Sequence, residues 1–160
     1  MDMEQRPERS EFDSVDPAPP SDENDISSLK STLCNESTRM FLRMRALFSL
    51  RNIGGKDAVD ALAAAFESDS ALLKHEIAYV MGQMQDSAAV PHLIDRLADE
   101  NEDVMVRHEA AEALGAIGDR TALATLEEFV DDDAVVVAES CEVALDLLEY
   151  VSSKRLNYTD

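Results

Sequence analysis

The chain has 160 residues and a formal net charge of −20, from 34 acidic against 14 basic residues. That field repels a phosphate backbone and argues against nucleic acid as a partner. It favours a basic protein, a polyamine-like group or a cation, or serves simply to keep the protein soluble. Aromatic residues make up only 5%, Trp is absent, and Gly and Pro number five each, so helix formers dominate and one all-α domain is expected.

Residues 1–24 are charged, carry Pro17, Pro19 and Pro20, and have almost no large apolar side chains. Such a segment buries too little surface to offset the entropy of ordering it, so a disordered arm or linker is expected there. From Asp25 onward the apolar pattern becomes helical. The block Ala46-Leu47-Phe48-Ser49-Leu50 recurs as Ile77-Ala78-Tyr79-Val80-Met81, then as Ala110-Ala111-Glu112-Ala113-Leu114 and Cys141-Glu142-Val143-Ala144-Leu145, at intervals of 31, 33 and 31 residues. A second amphipathic segment precedes each block, at Ile26–Leu33, Ala58–Phe66, Ala89–Leu97 and Leu123–Val130. Polar breaks such as Glu67-Ser68-Asp69-Ser70, Asp99–Asp103 and Asp131-Asp132-Asp133 supply turns and helix N-caps between them.

Two helices per unit at this period predict an all-α, HEAT-like helical-hairpin solenoid of about four repeats over residues 25–150, with residues 151–160 as a C-terminal tail. Gly54, Gly82, Gly115 and Gly118 fall near or after the second helices, where close packing or termination calls for a small residue. Cys34 and Cys141 have no CxxC spacing and read as small apolar residues with reduced thiols. No apolar run approaches the length of about 18 residues that a membrane span needs, and no apolar core follows the early basic residues, so secretion and membrane insertion are not expected. A cytoplasmic protein is expected.

At one register position the four second helices read Met44-Arg45, His75-Glu76, His108-Glu109 and Glu139-Ser140. Solenoid stacking brings equivalent positions to about 8–10 Å, from which two imidazoles can lean onto one ion at about 2.1 Å each. The adjacent Glu points about 100° around the helix, to close the same site or reach a neighbouring one. Two His and one carboxylate with open positions suit non-haem iron that handles oxygen. Duplication of a polar helix start is the alternative account of the same residues. His92 has no counterpart in the other repeats and reads as a surface residue, Tyr79 and Met81 as core, and Asp131-Asp132-Asp133 as a solvated turn. Gly-rich phosphate loops and a GxSxG elbow are absent.

Several stretches together carry a resemblance: Ser14-Val15-Asp16-Pro17-Ala18-Pro19-Pro20, Leu50-Arg51-Asn52-Ile53-Gly54-Gly55, Leu73 to Met84, Val106 to Ile117, and Glu139 to Leu145. Through them the chain resembles deoxyhypusine hydroxylase, a HEAT-repeat monooxygenase with a non-haem di-iron centre. The resemblance implies oxygen-dependent hydroxylation of a deoxyhypusine side chain, on a translation factor precursor, with Fe(II) as cofactor and O2 as co-substrate. It implies His75 and His108 as iron ligands, Glu76 as a bridge toward the second iron, and Glu109 as a ligand or as the catalytic group that holds the substrate amine. Members of that family carry two such halves with four His-Glu motifs. This chain has two of them and resembles the C-terminal half, with residues 1–24 similar to the linker. Either the chain is a truncated product, or it pairs with a complementary N-terminal half, or it forms a homodimer that rebuilds the site. A HEAT-type module that binds a basic protein without chemistry is the alternative function.

Overall fold

The computed structural model describes residues 6–153, which contain eight α-helices and no strand. Helices α1 (Ile26–Cys34), α3 (Gly55–Ala64), α5 (Val90–Ala98) and α7 (Leu123–Phe129) are short and form one layer. Helices α2 (Met40–Ile53), α4 (Ala71–Met84), α6 (Val104–Ile117) and α8 (Val135–Ser153) are longer and form the other, with α6 packed between α4 and α8. This is the helical-hairpin solenoid that the repeat predicts. The polar breaks act as caps: Ser70 and Asp103 accept hydrogen bonds from the first-turn amides of Leu73 and Met105. Gly118 ends α6 in the left-handed region at φ 80°, which a residue without Cβ adopts at little cost.

The core lies between the two layers and is built from Leu33, Leu47, Leu62, Leu73, Ile77, Leu93, Leu114 and Leu126, all completely buried. Small residues control how closely the long helices approach. A Cβ on Gly82 would lie 3.2 Å from the Ala113 Cα, and one on Gly115 would lie 3.1 Å from the Ala144 Cα. The α4–α6 and α6–α8 pairs are therefore in backbone-level contact, which carries the side chains one turn away toward one another.

A ladder of buried and part-buried cations staples the layers. The register that places His75 and His108 also places Arg43, Lys74 and Arg107 one residue earlier. Arg43 and Arg107 donate from Nε to the last-turn carbonyls of Leu33 and Leu97, at 2.8 and 2.9 Å. Each cation then reaches the next repeat: Arg43 to Ser68, Lys74 to Glu102 at 2.6 Å, and Arg107 to Asp132 at 2.6 Å. Asp132 is thus a structural partner as well as a turn residue. The Arg107 guanidinium holds its carboxyl below the usual carboxylate range, helped by the Ala134 amide.

The N-terminal segment departs from the expected disordered arm. Residues 6–24 lie along α2, with Ala18 buried. Arg45 donates to the Pro19 and Pro20 carbonyls, the Ser21 amide donates to Ser49 Oγ, and the buried Arg51 makes a two-pronged contact with Asp16 at 2.9 and 2.7 Å. The rings of Phe12 and Phe48 lie 4.5 and 4.9 Å from the same guanidinium. The ordering energy comes from charge-assisted hydrogen bonds and cation–π contacts supplied by α2, which the segment's own composition does not reveal. At the other end α8 continues to Ser153, so the first residues expected as a tail are helical; residues 1–5 and 154–160 lie outside the described part.

Candidate metal centre

His75 and Glu76 sit in the second turn of α4, and His108 and Glu109 in the second turn of α6. The close approach at Gly82 and Ala113 brings these turns together. His75 Nε2 is 3.1 Å from Glu109 Oε2, and His108 Nε2 is 3.3 Å from the same oxygen. The three ligand atoms of His75, His108 and Glu109 fall within 4.8 Å of one another, and this is the one such group of His, Cys, Asp and Glu among the described residues. Glu109 is buried, and burial raises its carboxyl pKa above the ordinary value against the lowering effect of His75.

Glu76 stands apart from this group. Its Oε1 approaches the other face of His75, 3.7 Å from Nδ1, and not the side toward which Nε2 points. Burial raises its pKa, the neighbouring His75 lowers it, and the Asp16 charge of the N-terminal segment raises it further. On this chain Glu76 flanks the triad and is not among its three converging ligand atoms.

Two features escape the alignment of repeats. The last inner helix, read as Glu139-Ser140, contributes Ser140, whose Oγ lies 2.7 Å from His108 Nδ1. Its separation of 32 residues from His108 is one more than the local repeat interval, because helices packed at an angle meet off register. Tyr79, expected in the core, is 41% exposed, while Met81 is fully buried as expected. Tyr79 lines a groove of about 260 Å³ with Gly82, Gln83, Ala113, Ala116 and the carboxylates of Glu109 and Glu112. One turn beyond His75, it shares the histidine's face and not that of Ile77 and Met81. His92 remains at the surface, 3.7 Å from Asp60. Cys141 is buried in α8, and burial pushes its thiol up to about 11, as befits a packing residue.

Two imidazole nitrogens and a carboxylate oxygen this close need a proton or a cation between them, and two imidazoles with one carboxylate are a donor set for a first-row divalent metal. A helical solenoid with a two-histidine, one-carboxylate cluster on adjacent inner helices is the class of protein that fold and site define together. The chain belongs to the HEAT-repeat family, which matches residues 35–105 and 100–146.

Within that family it is similar to proteins named deoxyhypusine hydroxylase. The chicken protein is 54% identical over 156 residues, covering 98% of this chain and 52% of the relative. The human protein is 49% identical over 147 residues, covering 92% and 49%. The solved structure of human deoxyhypusine hydroxylase in complex with glycerol superposes with a TM-score of 0.87 at 51% identity, over 91% of this chain and 50% of that one. The chain thus spans about half the length of the relatives it matches. No helix among the described residues is long and apolar enough to cross a membrane.

Proposed function

We propose that this chain is the metal-holding half of a deoxyhypusine hydroxylase, with His75, His108 and Glu109 as the ligands of one iron. The observation that carries this reading is the convergence of those three ligand atoms within 4.8 Å, on two motifs in equivalent repeats. The similarity to proteins of that name supports it. The substrate is the deoxyhypusine side chain of a translation factor precursor, and the centre is a non-haem di-iron site using Fe(II) and O2. Iron bound there supplies the oxygen activation that hydroxylation of an aliphatic carbon requires, with two electrons from an external donor.

The protein's own part is binding and positioning. His75 and His108 offer neutral nitrogen donors, and Glu109 brings a negative charge that offsets part of the metal's. The groove beside Glu109 combines the apolar walls of Gly82, Ala113 and Ala116 with the Tyr79 ring, which suits an alkyl chain. Glu112 and Glu76 provide negative charge for its amines. One chain supplies one three-ligand set, so a second iron needs a second set, from a complementary N-terminal half or from a second copy in a homodimer. We assign the protein to the cytoplasm, in keeping with its free thiols.

The experiment is Fe(II) titration of the purified chain with turnover of deoxyhypusine to hypusine, alone and with an N-terminal half added. About one iron per chain is expected, lost in His75→Ala and His108→Ala. A chain that takes up no Fe(II) in either setting sinks the reading. The net charge of −20 favours a second one, a module that binds the basic precursor without chemistry. That module would keep precursor affinity in the double His variant and show no turnover in the parent.

A further inference from the structure

We propose that Ser140 is a positioning residue for the metal centre, holding His108 as the Nδ1–H form so that its Nε2 lone pair faces the ion site. The inference rests on the reading of His75, His108 and Glu109 as metal ligands. It follows from the proton count of one hydroxyl. Ser140 Oγ lies 2.7 Å from the Val136 carbonyl oxygen, one turn back on α8, and a carbonyl can only accept. The single hydroxyl hydrogen is therefore spent on Val136. Towards His108 Nδ1, also at 2.7 Å, the serine has only lone pairs to offer, so Nδ1 must be the donor.

A neutral imidazole carries one proton, and with that proton on Nδ1 the opposite nitrogen is a bare lone pair. That nitrogen is Nε2, the atom 3.3 Å from Glu109 Oε2 in the triad. The other group near Nδ1 is Glu112, at 3.6 Å and beyond hydrogen-bond reach, with a side chain about half exposed. Ser140 is itself only 5% exposed, so water does not compete for its lone pairs. Among the described residues, His75 Nδ1 meets Glu76 at 3.7 Å, beyond hydrogen-bond reach. The last repeat, which has no His-Glu pair, thus orients the ligand of the repeat before it. Partners of this kind on metal-bound histidines commonly change affinity about 10–100-fold when removed.

The test compares the parent chain with Ser140→Ala and Ser140→Thr, the latter keeping a hydroxyl that can bond the same carbonyl. The first readout is solvent exchange of the His108 Nδ1 proton, by 15N NMR on the metal-free protein. Slow exchange is expected in the parent and Ser140→Thr, and fast exchange in Ser140→Ala. The second is affinity for Zn(II) and Fe(II) by calorimetry, expected to fall at least about 10-fold in Ser140→Ala and to recover in Ser140→Thr. A His108 Nδ1 proton equally protected without the hydroxyl, or a Ser140→Ala affinity within about twofold of the parent, overturns the proposal. A parent that binds neither metal while its Nδ1 proton is protected by Ser140 defeats the metal reading instead, so the two failures are told apart.

Discussion

Neighbouring residues in α4 and α6 serve two regions that differ in one physical respect. Lys74 and Arg107 enter the space between the layers, where each cation meets an acceptor placed for it, Glu102 for one and Leu97 with Asp132 for the other. One or two residues further along, His75, His108 and Glu109 bring their ligand atoms within 4.8 Å of one another. The ladder is complementary within the chain, and its removal strands buried charge. The triad brings three ligand atoms to one point and needs a proton or a cation there. A polar cluster that satisfies itself holds a fold together, whereas two imidazoles and a carboxylate converging on one point make a candidate ligand site.

That contrast is sharpest at Arg107. Replacing it with Met leaves the Leu97 carbonyl without its side-chain donor and Asp132 with only the Ala134 amide, which is expected to cost roughly 3 kcal/mol and lower the melting temperature by several degrees. Thermal and urea unfolding followed by circular dichroism measure it, and a loss under about 1 kcal/mol would remove the ladder from the stability argument. Glu109→Gln is the converse change. Metal affinity should fall more than about 100-fold, with no loss of stability in the metal-free chain at pH 8, because burial already disfavours that carboxylate. If Glu109→Gln unfolds the protein as Arg107→Met does, the two regions are not distinct.

Gly115→Ala probes the packing that both regions share. Its Cβ would meet the Ala144 Cα at 3.1 Å and press α8 away from α6. Overpacking set against the better helix propensity of Ala leaves a net cost of about 1–2 kcal/mol, readable as a shifted urea midpoint. The smallest effect belongs to Asp132→Asn and is a matter of pH. The Asp132 carboxyl is depressed by its hydrogen bond from Arg107, so its stabilisation is present above the ordinary Asp range and is lost as pH falls through the lowered value. Urea midpoints measured from pH 6 down to pH 2 should decline more steeply in the parent than in Asp132→Asn. The two curves should differ by about 1 kcal/mol at pH 6 and converge in acid; parallel curves would contradict this assignment.

The path from residues to site was legible in part. The repeat interval and the polar caps already specify the hairpins, and the doubled His-Glu motif already marks α4 and α6, since helical periodicity and duplication are written locally. Tyr79 shows where such reasoning fails: an aromatic residue among apolar neighbours reads as core, yet its angular position places it beside His75 on the open face. The N-terminal segment shows the same from the other side. Its charge and prolines indicate disorder, while Asp16 and the Pro19 and Pro20 carbonyls meet Arg51 and Arg45, residues more than twenty positions away.

The sequence by itself determined that this protein is a helical solenoid and which two repeats carry the His-Glu pairs, because the 3.6-residue period and the identity of the side chains are properties of the chain alone. Only the tertiary structure decided that Glu109 and not Glu76 completes the three-ligand group, and that Ser140 stands behind His108. Those choices depend on the angle and distance at which α4, α6 and α8 pack, set by contacts such as Gly82 on Ala113 and Gly115 on Ala144. Interhelical geometry is a sum over the whole interface, and no single segment of the sequence contains it.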